Sequence, residues 1–460
     1  MRSPETFTVR RVSFVPLIKK ELWEMLSGRA LWTMLLLVCP LLGYSYFQAI
    51  SLYGEASAAA QQSPVLAVSL SPLDGIIVPT FGAFYVAVTL LFPFVAIRVL
   101  GREKESGALR MLIQLPYRPS TLVLAKVAAI FAAWWLASVP ALCSLVIWKI
   151  SGGHVGGLET SNLVLGHLVY GLLIGAIGLF AASVADSAAT AAIITLAFTI
   201  GSWVLDFTLA GQPGLLERLS RLSLTQVLRP FEQGLFSVGL VVGVIGVICA
   251  FAALAGIWLP PGLPTRTKLV RSAGCVGATA LLLFLASQIA MSFDVTEDRR
   301  NSFAIADERA LATLNDPLVV TVHLASEDPR YLDLRRNVLS KLQRAMPNVT
   351  VHLVGGHQIF ASGSTDEAYG QIDFVYASRT DTTRSTSPRE ILPLLYALAG
   401  REPPVPFAGA DYPGYPLMIN GQPALAWFCG GLPLLILIVW WWSRRPPQLS
   451  HVPVLKEVQP

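Results

Sequence analysis

The sequence predicts a polytopic α-helical membrane protein of about eight transmembrane helices, with a small α/β domain inserted between helices 7 and 8. Three observations predict it. Hydrophobic residues make up 53% of the 460-residue chain and charged residues only 14%, far from a soluble globular balance. Eight apolar runs each approach the roughly 20 residues that a helix needs to cross hydrocarbon. Between the seventh and eighth runs, about 130 residues turn polar, and their apolar positions become periodic.

The runs are Ala30–Leu52, Ile76–Leu100, Leu122–Ile150, Asn162–Val184, Ser187–Ala210, Ser237–Leu259, Ser272–Ser292 and Ala424–Trp442. The first follows nearly thirty charge-rich residues with no small-residue cleavage site, so it is expected to be an anchor and not a signal peptide. Basic residues set the expected orientation. Arg2, Arg10, Arg11, Lys19, Lys20 and Arg29 precede the first run, and the Tyr53–Gly75 loop carries no Lys or Arg. The Gly101–Lys126 loop is basic, Gly152–Ser161 carries only Glu159, and Pro260–Arg271 carries Arg266, Lys268 and Arg271. Arg444 and Arg445 open the tail. Both termini are therefore expected in the cytoplasm of a bacterial inner membrane. Gly211–Phe236 is expected outside although it holds Arg218, Arg221 and Arg229, and its near-helical leucines suggest an interfacial or re-entrant helix with snorkelling arginines.

The expected organisation is an N-terminal interface helix within 1–29, a six-span unit over 30–260, and a linker with the seventh span over 261–292. An extracytoplasmic α/β domain over 293–423, the eighth span over 424–443 and a tail over 444–460 complete it. Within the domain, Leu318–Leu324, Val349–Val354 and Ile372–Tyr376 read as strands, and Leu332–Ala345 and Pro388–Leu398 as helices. Gly363–Thr365 and Thr380–Ser387 read as mobile loops, and Pro403–Pro416 as an ordered approach to the last span.

The chemistry is mostly exclusion. The net charge of +5 is explained by the positive-inside bias, so no nucleic-acid partner is expected. Cys39, Cys143, Cys249, Cys275 and Cys429 all fall in the runs, and no CxxC pair exists, so they read as apolar core residues. No GxxxxGK[ST] occurs, so no nucleotide is cradled in the P-loop manner. His323, His352 and His357 are scattered, and hydrogen-bonded structural histidines are expected in place of a metal set. Ser387 and Asp381 lie near no nucleophile elbow. Neither catalytic residues nor a cofactor is expected. Asp206 and Asp186 are the ionisable residues closest to the membrane interior and are candidates for a translocation path, with interfacial solvation as the plainer reading. Gly239, Gly243 and Gly246 are spaced to let helices approach closely.

The Gly101–Lys126 stretch looks too patterned for a connector. Glu103 and Glu105 precede Gly107, and Leu109, Leu112 and Ile113 repeat at helical spacing until Pro116. Glu103, Glu105, Gly107, Leu109, Leu112, Leu115 and Pro116, followed by Lys126, resemble the E-x-E-x-G-x-L-x-x-L-x-x-x-P…K signature of ABC-2-type transporter permeases. Lys19-Lys20-Glu21-Leu22 resembles that family's membrane-interface helix, and Phe231-Glu232-Gln233-Gly234 the segment before its sixth span. The resemblance covers roughly residues 12–260 and departs at Ala108 and Arg110, where Thr and Glu are common. Residues 293–354 resemble a GldG-like auxiliary component through Asp294-Val295-Thr296, Asn301-Ser302-Phe303, Ala310–Leu314 and Pro317–Val320. The whole thus resembles a gliding-motility-type (GldF-like) permease fused to a shortened auxiliary domain.

That resemblance implies a non-catalytic transporter subunit of the exporter class, paired as a homodimer or heterodimer of permeases. A separate ABC ATP-binding subunit would bring the ATP and dock on residues 101–120. Glu103, Glu105, Gly107, Leu109, Leu112, Pro116, Lys19 and Glu21 are the implied docking residues, and 293–423 could meet an envelope protein. The alternative is a non-transporting scaffold whose outer domain recruits such a partner.

Overall fold

In the computed structural model, the described residues are 14–115, 117–209, 223–289, 291–325, 328–346, 348–354, 368–404 and 412–444. Eight of their helices are long and apolar enough to cross a membrane, and a sheet-bearing domain lies between the seventh and eighth. The chain is a multi-pass helical membrane protein.

A helix lying before the spans, α1 (Phe14–Ser27), leads into α2 (Ala30–Ala60). The second span begins in a π turn, Leu73–Ile77, and continues as α3 (Val78–Glu105). A short helix, α4 (Ala108–Gln114), follows Gly107, whose positive φ of 76° turns the chain at little steric cost. The third span is α5 (Pro119–Ala137) and α6 (Val139–Ile150), interrupted at Ser138 before Pro140. Then come α7 (Gly157–Val184), α8 (Ala188–Leu209), α9 (Thr225–Glu232), α10 (Val238–Trp258) and α11 (Thr265–Ser287).

The central span is α7, which packs on α3, α8 and α10. It is glycine-rich where neighbours come closest: a Cβ on Gly171 would lie 2.2 Å from the Trp134 ring. The α2–α3 and α10–α11 pairs complete the bundle. The last span, Gln422–Ser443, which ends in α16 (Leu432–Ser443), packs on α2, whereas α11 packs on α10. The inserted domain therefore bridges two separated helices. In it, α12 (Ile305–Ala312), α13 (Pro329–Leu334), α14 (Ser340–Ala345) and α15 (Pro388–Leu398) accompany the sheet, with a π turn (Arg335–Leu339) joining α13 to α14.

Six strands occur among the described residues: β1 (Leu235–Ser237), β2 (Ser292–Asp294), β3 (Leu318–Val322), β4 (Val349–Leu353), β5 (Ile372–Tyr376) and β6 (Arg379–Thr383). The last four form one mixed sheet in the order β4-β3-β5-β6, with β3 and β4 parallel and the other pairs antiparallel. Leu318, Val320, Val322, Ile372, Phe374 and Tyr376 are buried beneath the helices, the alternation expected of a sheet with one face covered.

Several expectations need correction. The loop after the first span does not begin at Tyr53, because α2 continues to Ala60; no proline interrupts it there. Thr380–Ser387 is not wholly loop, since Arg379–Thr383 is strand β6. Its hairpin turns on Ala377 and Ser378 at φ 46° and 72°, with none of the Asn-Gly or Asp-Gly pairs that advertise such a turn. Of Gly211–Phe236, α9 is helical, and β1 pairs antiparallel with β2, tying the start of the sixth span to the end of the seventh. The arginines Arg218 and Arg221, the Gly363–Thr365 loop and His357 lie outside the described residues, as do 405–411 of the approach to the last span.

Candidate coupling interface

On the membrane face opposite the α/β domain, the structure gathers four charges from three helices. Lys126 of α5 is 1% exposed. Its ammonium donates to Glu103 Oε2 at 2.6 Å, the Val99 carbonyl at 2.9 Å, and Glu21 Oε1 and Oε2 at 3.1 and 3.2 Å. Lys20 of α1 donates to Glu103 Oε1 and to Glu21 Oε1, and pairs with Glu24 one helical turn on. Glu21 and Glu103 are buried, at 3% and 2% exposure. Two ammoniums thus face two buried carboxylates, and a partly exposed third carboxylate sits at the rim.

The helices bring this about for local reasons. Phe14–Ser27 is amphipathic, and Leu17 and Glu21, four residues apart, share its buried face. Glu103 lies on the last turn of α3, and Lys126 two turns into α5, beside Ala125 and Ala129, which are both fully buried. A carboxylate buried without a partner would cost several kcal/mol. Here each buried acid meets both lysines. Burial lowers the Lys20 ammonium, but its bond to Glu103 and the charges of Glu21, Glu103 and Glu24 outweigh this and raise it. Burial raises the Glu21 carboxyl against the opposing pull of Lys126. Glu21, Glu24 and Glu103 are close enough to share a metal ion, but the lysine ammoniums already fill that role.

Beyond this cluster the chain turns outward. Glu105 and Gly107 are exposed, and α4 rests on the bundle through buried Leu109 and half-buried Ile113, with Leu112 also half-buried. Its other face carries Arg110, Met111, Gln114 and Leu115, with Met111 75% exposed. Lys104 donates to the Ser183 and Ala185 carbonyls at 2.8 and 2.9 Å, capping α7 and fastening α3 to the hairpin before α8. Asp186 sits exposed in that hairpin, on the same membrane face as α4.

The implied docking set therefore divides. Glu21 and Glu103 are interior groups whose carboxylates are held by Lys20 and Lys126, so neither offers its side chain at the surface. Leu109 packs α4 onto the bundle together with Ile113, and Leu112 is half-buried. Lys19, Glu105 and Gly107 are exposed. Pro116 lies outside the described residues, and of Asp206 only its place in α8 is described. The residues that sequence reasoning left out are Arg110, Met111, Gln114 and Leu115; the signal was available as the complement of the Leu109–Leu112–Ile113 stripe. Sequence reasoning also left out His167, which lies ten residues into α7, buried and packed between the Phe81 and Phe84 rings.

On the other membrane face a second polar seam joins the α/β domain to the spans. Arg300 bonds to Asp74 and, at 2.8 Å, to Ser71 Oγ. His154 pairs with Glu297 at 2.7 Å and stacks on Tyr415, ring centroids 3.7 Å apart. The Glu297 N–H donates to Glu159, and the Tyr53 hydroxyl donates to the Tyr415 carbonyl.

No curated protein and no solved structure matches the chain. Residues 15–234, slightly less than half of it, match the family model described as ABC-2 family transporter protein. That segment holds α1, the first five spans, the ionic cluster and α4. Taken with the apolar helices, the match supports an ABC-2-type membrane permease of an ABC transporter built around residues 15–234.

Proposed function

We propose that this chain is the permease subunit of an ABC exporter, moved by a separate ATPase that docks on α4. The observation that carries the reading is the union of an exposed helix with a buried, charge-locked base. The α4 face of Arg110, Met111, Gln114 and Leu115 is open, while Glu103, six residues before Leu109, is locked to α1 and α5. A push on α4 is delivered to three helices together, because breaking any one contact would strand a buried charge. Met111 and Leu115 supply an apolar anchor and Arg110 a charge-assisted bond, the mixture found at the centre of protein interfaces. Glu105, exposed two residues before Gly107, adjoins that surface, and Lys19 is exposed on α1.

In this reading the α4 side is cytoplasmic, both termini lie there, and the membrane is a bacterial inner membrane. Two permease copies or a homologous pair meet two ATPase subunits, which alone hold ATP. The α/β domain lies outside, tied to the spans through Arg300 and His154, and carries the motion to an envelope partner. Likeness to a GldF-like permease with a GldG-like domain, and export as the direction, rest on analogy with the motifs at 103–126 and 294–320.

The test is ATPase activity of the reconstituted complex. Met111→Glu and Arg110→Glu should abolish coupling and copurification of the ATPase, while the permease inserts and extracts normally. ATP hydrolysis by the purified chain alone would overturn the reading, as would full coupling in Met111→Glu.

A further inference from the structure

Near the α/β side of the membrane, α7, α9, α10 and α11 line an open-sided groove of about 470 Å³. Its walls are Leu173, Leu240, Val244, Val247, Leu283 and Ala286, with no charged side chain among the lining residues. The hydroxyls that reach it are already committed. Ser223 donates to the Ser202 carbonyl, Ser287 to the Phe284 carbonyl, and Ser237 accepts from the Leu240 N–H. Water needs two to four polar partners to occupy such a space, and this lining offers few.

The depth of the groove points to its contents. It runs from Ser237, the cap of α10 beside the β1–β2 pair, to Val247, ten residues along the helix. At about 1.5 Å per residue that is roughly 15 Å. It equals about half of a roughly 30 Å hydrocarbon core, the thickness of one leaflet. The volume falls within the roughly 300–1,000 Å³ of ligand pockets. Gly239 narrows the outer end, since α11 approaches it so closely that a Cβ there would lie 2.5 Å from the Ala286 carbonyl. Exposed residues on the same two helices, Val242, Ile245, Leu282 and Phe284, are apolar, so the groove adjoins lipid.

We propose that this groove is a binding site for one acyl chain of a bilayer lipid, drawn from the leaflet on the α/β side. Bound there, the chain lies over α10, between α7 and α11, and joins the seventh span to the rest of the bundle. The site rests on the membrane-spanning character of these helices and is independent of transport.

The test is photolabelling of the full-length chain in phosphatidylcholine nanodiscs that contain a trace of phospholipid with a mid-chain diazirine, with adducts mapped by peptide mass spectrometry. Adducts should concentrate on the α10 segment from Leu240 to Val247 and on Leu283 to Ile289. A palmitoyl lysolipid should compete them away, and an octanoyl one should not. Leu240→Trp, which fills the groove, should lower them about tenfold, equivalent to about 1.4 kcal/mol of affinity. Adducts at lipid-facing Ile438 of the last span should stay unchanged in that variant, which also reports that it is folded. Labelling that simply follows exposure, with Ile438 as heavily marked as Leu240, would overturn the proposal. So would a disulfide joining Leu240→Cys of two copies with lipid adducts absent, which would make the groove a subunit seam.

Discussion

Removing the Lys126 ammonium should be among the most damaging single changes available to this chain. Its three N–H groups serve Glu103, Glu21 and the Val99 carbonyl at 2.6–3.2 Å, all within a buried environment. In Lys126→Met, which keeps the apolar stem, both carboxylates remain buried with Lys20 alone to balance them. Breaking a buried ion pair from one side costs about 3–5 kcal/mol, mostly as the penalty of the stranded charge. The triple variant Lys126→Met, Glu103→Gln, Glu21→Gln removes that penalty and should recover most of the loss. The assay is denaturant unfolding of the detergent-solubilised chain followed by tryptophan fluorescence, reading the transition that reports on the spans. The double cycle between Lys126→Met and Glu103→Gln should show a coupling of about 0.5–3 kcal/mol. A cost below about 1 kcal/mol for Lys126→Met, or additive singles, would refute the reasoning, because the cluster would then behave as a solvated surface pair.

Two further outcomes follow from the α/β side of the membrane. Arg300→Ala should release the α/β domain from the turn before the second span, so that hydrogen exchange at residues 70–77 rises while that of β3 and β5 stays unchanged; unaltered exchange at 70–77 would show that Arg300 is not a tie. Asp328 accepts from Arg330 at 2.9 Å and from the Tyr369 hydroxyl at 2.7 Å, and the Arg330 bond leads in holding its carboxyl down to about 2. A lowered acid stabilises the fold above the ordinary carboxylate value of about 3.9 and loses that contribution as pH falls toward 2. Exchange protection of residues 368–376 should therefore fall between about pH 4 and 2 in the parent chain, and Asp328→Asn should lack that step.

Much of this architecture is legible in the sequence because its signals are local. Twenty apolar residues in a row have few fates other than a membrane span, and seven of the eight spans lie within a few residues of their expected starts. The exception is the seventh: α11 begins at Thr265, a turn and more before Ser272, because Arg266, Lys268 and Arg271 extend the helix at its membrane edge. The alternation of Val320, Val322 and Leu324 likewise announced β3. Strand β6 was hidden because RTDTT, at the sheet edge, buries nothing that could show a period.

The candidate interface was legible only in outline. The spacing of Leu109, Leu112 and Ile113 marks a helix with a covered face, and the acids before it mark a charged start. Nothing at Glu103 says whether it faces solvent or protein. That is decided by Glu21 and Lys126, which are 105 residues apart in the chain and meet in space.

By itself, then, the sequence determined the membrane class, the spans, the α4 helix and the inserted α/β domain, since each follows from composition or periodicity within one segment. Tertiary structure alone decided which charges are buried, that the last span returns to α2, and that the α/β domain is tied at Arg300 and His154. It alone also decided that an apolar groove opens beside α10, between α7 and α11. Those outcomes depend on groups distant in sequence excluding water from one another, and no local pattern records that.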